Sequence, residues 1–288
     1  MPVPVPVPGT EPFTHDGGRI GVVMSHGFTG SPFSMRPWAQ HLAEAGYSVR
    51  LPLLPGHGTS WQDCNTSTWQ QWYATVEDAF GQLAARCELV FAAGLSMGGT
   101  LVTRLAELAG DRVAGLIVVN PSYLTTRRDA KFAPLAKHVL KSQKSIGSDI
   151  KDPSVTTEGG YDRTPVVAFA ELQKLWKQVR PRLGSITAPV LLFNSVDDHV
   201  VEPVNGQLLI EQARGTTVRQ VMLPNSYHVA TLDFDKQVIF ERSVQFINQI
   251  AAQRAAGAGQ PGAQPSGQVG DAPPARGFAG DPAPDVAP

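Results

Sequence analysis

The stretch Gly94-Leu95-Ser96-Met97-Gly98 sets a serine between two glycines, directly after the apolar run LVFAAG and directly before TLVTRLAELA. A strand that enters a helix through such a turn holds the serine out on a sharp bend, and small flanking residues let the two elements pass closely. A hydroxyl presented this way suits attack on a carboxylic ester carbonyl. It then needs a base for its proton and donors for the oxyanion that develops.

Both needs have candidates in the chain. His228, in NSYHVATLD, follows the run TVRQVMLP, where a loop can reach over a sheet edge to Ser96. Asp197 and Asp198 follow PVLLFNS, which gives the order serine, acid, histidine. Only one of the two aspartates can hold the imidazole in its working tautomer, and local pattern leaves both open. His26-Gly27-Phe28-Thr29-Gly30 follows IGVVMS. The backbone N–H groups of Phe28 and Met97 are therefore the expected oxyanion donors.

The remaining histidines and the cysteines receive structural readings. His26, which precedes the turn, is expected to be a structural hydrogen-bonder and not a catalyst, and His57 and His199 to scaffold their loops. Cys64 and Cys87 lie outside any metal-ligand spacing and are given no role. No HExxH, HxH or glycine-rich phosphate loop is found, and the chemistry calls for no metal or cofactor.

These residues must be carried by a regular frame. Apolar runs rich in Val, Leu and Ile cover 20–25, 47–54, 89–94, 113–120, 189–194 and 217–223, and read as strands. Stretches of helical period cover 34–45, 68–85, 97–109, 164–179, 203–213 and 235–252. Their alternation predicts an α/β fold, a mostly parallel central sheet flanked by helices. Residues 121–163 carry no strand signal and are expected to be a small inserted cap. Within it Phe132, Leu135, Ala136, Val139 and Leu140 recur at helical spacing, with Lys137, Lys141 and Lys144 on another face.

The expected hydrolase domain covers 13–252. Before it, 1–12 hold an alternating Pro/Val arm; after it, 253–288 form a tail rich in Gly, Pro and Ala that cannot bury enough apolar surface to order itself. The 24 basic residues nearly balance the 25 acidic ones, so no overall field draws nucleic acid or an anionic membrane. The first residues lack the basic start and apolar stretch of a secretion signal, and the expected location is the cytoplasm.

Beyond single motifs, GVVMSHGFTGSPFSMRP, LPLLPGHGT, GLSMGGTL, GSDIKDP, DDHVVEP and NSYHVATLD together resemble the bacterial monoacylglycerol lipases and related carboxylesterases. These are enzymes of the α/β-hydrolase fold. The resemblance implies that the acid is Asp198, the aspartate directly before the histidine of DHVV, and it supports Phe28 and Met97 as oxyanion donors. It implies further that a cap carboxylate at Glu158 accepts hydrogen bonds from glycerol hydroxyls. The alternative for Glu158 is a solvated loop acid.

An acyl chain needs an apolar tunnel, which Phe132, Leu135, Val139, Leu140 and Ile146 could line; these residues could equally form the core of the cap. The implied partner is a small lipid ester, reached through weak peripheral contact of the cap with a membrane whose anionic headgroups meet the lysine face. A broad short-chain carboxylesterase on the same triad is one alternative, and two further rivals remain at this level. An acyltransferase would pass the acyl group to an alcohol in place of water, and a binding module would keep the fold without the chemistry.

Overall fold

The computed structural model describes residues 7–127, 137, 139–145 and 148–258. Its centre is a seven-stranded sheet in the order β1 (Phe13–His15), β3 (Ser48–Leu51), β2 (Ile20–Ser25), β4 (Leu89–Leu95), β5 (Val113–Val119), β8 (Val190–Ser195), β9 (Val218–Leu223). Only β1 runs antiparallel to its neighbour. A sheet covered on both faces needs strands that are apolar throughout, and β5, Val-Ala-Gly-Leu-Ile-Val-Val, is buried at every position.

Successive side chains of each strand feed opposite cores. Val23, Val90, Ala92, Leu116, Val118 and Leu192 pack with α3 (Trp69–Ala84), α4 (Met97–Ala109) and α5 (Val166–Val179). Val22, Met24, Phe91, Ala93, Ile117 and Phe193 pack with α1 (Arg36–Glu44) and α7 (Lys236–Ala258) on the other side. A short α2 (Trp61–Cys64) and α6 (Val204–Gln212) complete the elements named here. The carboxyl ends of β2, β4, β5, β8 and β9 fall side by side, because Ser25 pairs with Gly94, Leu95 with Val119, Val119 with Phe193, and Ser195 with Leu223. Loops leaving those ends meet above one edge of the sheet, where open α/β sheets carry their sites.

The expected mostly parallel sheet with helices on both faces is observed, and the departures have local causes. The strand expected over 47–54 is shortened to Ser48–Leu51; Pro52 follows directly and has no N–H for the ladder. The edge strand β1 was not expected, since three residues are too few to show a period.

The segment expected to lack strands contains a short antiparallel pair, β6 (Ser142–Lys144) with β7 (Arg163–Pro165). Lys144 therefore stands on a strand and does not share a helix face with Lys141. Phe132, Leu135, Ala136 and Ile146 lie outside the described residues. The helix expected from 164 starts at Val166, because Thr164 and Pro165 belong to β7, and the last helix runs on to Ala258. No helix among the described residues is long and apolar enough to cross a membrane.

Candidate active site

Ser96 is the single residue between β4 and α4, and its backbone sits at φ 56, ψ −120. A side-chain-bearing residue rarely adopts that conformation, which costs on the order of 1–3 kcal/mol unless its surroundings enforce it. Here they do. The Ser96 N–H donates to the carbonyl of Val119 at 3.0 Å, and the Ser96 carbonyl accepts from Thr100 N–H at 3.2 Å and Ser122 N–H at 3.3 Å. The flanking glycines are demanded by space: a Cβ on Gly94 would stand 2.4 Å from the carbonyl carbon of Gly98, and one on Gly98 would stand 2.0 Å from the carbonyl oxygen of Ser25. Ser96 Oγ makes no hydrogen bond to the described residues and faces a cavity.

His228 lines the same cavity. Its Nδ1 lies 2.8 Å from Oδ2 of Asp198. The other oxygen of Asp198 accepts the N–H groups of Val200 at 2.9 Å and Val201 at 2.7 Å. Three donors on one carboxylate favour its charged form, so Nδ1 carries the hydrogen and Nε2 is left as the basic nitrogen. Burial works against charge on both partners. The Asp198 carboxyl is nonetheless held below its ordinary range by His228 and the two backbone donors. Burial likewise disfavours the imidazolium of His228, yet the charge and hydrogen bond of Asp198, with Glu158 and Asp149 adding to them, hold its pKa above the ordinary histidine value. Asp197 is exposed and makes no such contact among the described residues.

The main chain at His228 is fixed from the sheet. Asn120, itself at φ 45 just beyond β5, donates from Nδ2 to the His228 carbonyl at 2.8 Å and to Ser195 Oγ at 3.0 Å. The Ser195 hydroxyl donates to the Tyr227 carbonyl at 2.7 Å. Neither Asn120 nor Ser195 was singled out by sequence, although an asparagine closing an all-apolar strand is a signal of a special backbone position.

On the opposite wall, the loop 26–30 is pinned by His26. Its Nε2 accepts the Leu54 N–H at 3.1 Å, so its Nδ1–H donates to the Gly27 carbonyl at 3.0 Å. Burial pushes the His26 pKa down to about 3 and that of His57 to about 4, which keeps both rings neutral. The Phe28 ring packs against Trp72 and Phe169, with centroids 6.2 and 6.1 Å away. The loop passes close to the serine, since a Cβ on Gly27 would meet Ser96 Cβ at 3.4 Å. Met97 opens α4, where an amide has no acceptor within its own helix and adds the positive end of the helix dipole. Met97 is wholly buried and, unlike Phe28, is not among the residues that line the cavity.

The cavity has a volume of about 240 Å³. One wall is apolar and comes from α5, through Val166, Phe169, Leu172 and Trp176. Of the cap residues expected to form a tunnel, Leu140 lines this cavity, whereas Val139 is 87% exposed. Glu158 lines it too, half-buried and without a hydrogen-bond partner among the described residues; burial pushes its carboxyl pKa up. His57 turns its ring to the Pro55 carbonyl, and His199 pairs with Asp149. Cys64 is buried with its thiol pushed up by burial, and neither it nor Cys87 forms a disulfide.

Residues 19–235 match the family model described as Serine aminopeptidase, S33. The thermostable monoacylglycerol lipase of a Bacillus species is 42% identical over 243 residues, 84% of this chain and 96% of that protein. A carboxylesterase of Bacillus subtilis is 23% identical over 243 residues, 83% of this chain and 97% of its own. Among solved structures, one described with the metagenome-derived lipolytic enzymes LipS and LipT is 40% identical, with a TM-score of 0.82, covering 85% of this chain and 100% of that one. The chain thus belongs to the serine aminopeptidase S33 family of α/β hydrolases and, within it, is a carboxylic ester hydrolase.

Proposed function

We propose that the chain hydrolyses monoacylglycerols through an acyl intermediate on Ser96. The observation that carries this reading is the meeting, in one cavity, of a strained serine, a histidine backed by a buried aspartate, an apolar wall and a carboxylate without a hydrogen-bond partner among the described residues. His228 Nε2 takes the Ser96 proton as Oγ attacks the ester carbonyl. The N–H groups of Phe28 and Met97 meet the oxyanion. The imidazolium, steadied by Asp198, then protonates the leaving glycerol oxygen, and the same nitrogen activates water to release the fatty acid.

Glu158 supports the choice of alcohol. A half-buried carboxylate with free lone pairs can accept both remaining hydroxyls of a monoester, which a triacylglycerol does not possess. The wall of α5 suits the acyl chain. Peripheral contact with a membrane forms part of the reading: Val139 and Leu140 are exposed apolar residues, and Lys141 and Lys144 beside them are exposed cations. Binding that does not differ between neutral and anionic vesicles would remove that contact.

A hydrolysis panel tests the substrate. Monoacylglycerols are expected to be cleaved faster than di- and triacylglycerols of the same acyl chain. Equal rates on triacylglycerols would contradict the narrow alcohol site. With an alcohol added as acceptor, free fatty acid is the expected main product; a new ester in its place would make the enzyme a transferase.

A further inference from the structure

Asp149 stands on the cap segment between β6 and β7, far in sequence from the residues it meets, and only 8% of its surface is exposed. Its Oδ2 accepts two backbone N–H groups, from His199 at 3.1 Å and from His228 at 3.1 Å. Its Oδ1 lies 2.8 Å from His199 Nδ1, and its own carbonyl accepts the Val229 N–H at 3.1 Å. His199 directly follows Asp198. One carboxylate therefore ties the loop that bears the acid to the loop that bears the base.

The peptide of His228 is held from two sides as a result. Asp149 takes its N–H from above, and Asn120 supplies a donor to its carbonyl from the sheet at 2.8 Å. A second buried carboxylate reinforces the tie. Asp233 accepts Lys151 N–H at 2.7 Å and Asp152 N–H at 3.0 Å from the cap, and Tyr227 N–H at 2.9 Å from the histidine loop.

We infer that Asp149 is a positioning residue: through these hydrogen bonds the cap holds Asp198 and His228 in mutual register. The inference rests on the proposed roles of those two residues. A buried carboxylate could instead serve stability alone, and charge separates the two cases. Asp149, Asp198 and Glu158 are the anionic groups that act on His228, and His199 and Lys151 border the same loop. Removing the charge of Asp149 while keeping its oxygen should therefore make the imidazolium easier to deprotonate.

The test compares Asp149→Ala, Asp149→Asn and His199→Ala with the wild-type chain, using kcat, KM and the pH profile of kcat/KM on a soluble monoester. Asp149→Ala should lower kcat on the order of tenfold to a hundredfold with little change in KM, because the base is misplaced and the alcohol site is not. Asp149→Asn keeps an acceptor for both backbone donors, and its amide can donate to His199 in the other tautomer. It should restore most of kcat and move the acid limb to lower pH. His199→Ala leaves both backbone bonds and should stay within a few-fold of wild type, roughly the effect of one exposed contact.

Unchanged kcat in Asp149→Ala, or a pH profile unmoved in Asp149→Asn, overturns the inference. Ser96→Ala, run in parallel, separates the two levels. If it is inactive while Asp149→Ala is unchanged, only the role of Asp149 falls; if it hydrolyses like wild type, the reading of the site falls and takes Asp149 with it.

Discussion

Asp198 divides its oxygens between two tasks: Oδ1 caps the turn at Val200 and Val201, and Oδ2 meets His228 Nδ1 at 2.8 Å. A carboxylate anchored by its own loop presents its second oxygen without the entropy of a free side chain. Its neighbour Asp197 is exposed and makes no hydrogen bond to an imidazole among the described residues. Asp198→Asn is expected to lower kcat by roughly three to four powers of ten, since the amide favours the wrong tautomer, with Asp197→Asn near wild type. Steady-state kinetics on one ester decide this, and equal losses would refute the assignment.

The pH dependence follows from the same pair. In the proposed reaction His228 must be neutral to act as base, and its pKa is held above the ordinary value of 6.5. A group with a raised pKa stays protonated to higher pH, so kcat/KM should rise through a midpoint above 6.5 and then level off. Glu158→Gln removes one of the charges that favour the imidazolium and should move that midpoint down. A midpoint below the ordinary value in the wild-type chain contradicts this electrostatic account.

Glu158→Gln has a separate effect on substrate choice. The amide keeps one oxygen acceptor but loses the charge, so KM for a monoacylglycerol is expected to rise roughly tenfold, the loss of a charge-assisted hydrogen bond. Short p-nitrophenyl esters lack the glycerol hydroxyls and should be hydrolysed nearly as before. Parallel KM changes on both substrates would make Glu158 a general feature of the cavity.

Gly98 has no room for even a methyl group. Its Cβ would stand 2.0 Å from the Ser25 carbonyl oxygen, a backbone atom that moves only with β2. Gly98→Ala is expected to destabilise the fold by about 1–3 kcal/mol or more and to displace Ser96 with it. Thermal unfolding and activity should both fall; an active, equally stable variant would mean that the turn relaxes freely.

How far the chain announces these features differs from residue to residue. The turn at Ser96 is legible because its glycines answer a local steric demand, visible wherever a strand runs straight into a helix. Choosing between Asp197 and Asp198 is a tertiary matter, since adjacent residues after a strand look alike until the amides of Val200 and Val201 and the ring of His228 select one; the family resemblance supplied the choice that pattern could not. Phe169, Leu172 and Trp176 escaped notice as a substrate wall, because the apolar period that points them at the cavity also carries Leu175 and Val179 in the core. Strand β6, Ser-Gln-Lys, has no apolar alternation to show, and its pairing with β7 leans on contacts such as Arg163 Nε to Ser142 Oγ at 2.7 Å. The clasp of Asn120 and Asp149 on the His228 peptide joins three distant stretches of chain, a relationship that no local window contains.

In the proposed reaction Ser96 Oγ is the nucleophile. A fluorophosphonate reacts with a serine only when base and oxyanion donors activate it, so labelling followed by peptide mapping addresses the claim directly. One adduct is expected, on the peptide that contains Ser96, and no labelling of Ser96→Ala. Labelling of Ser96→Ala at the wild-type rate, or an adduct on another residue, would contradict it.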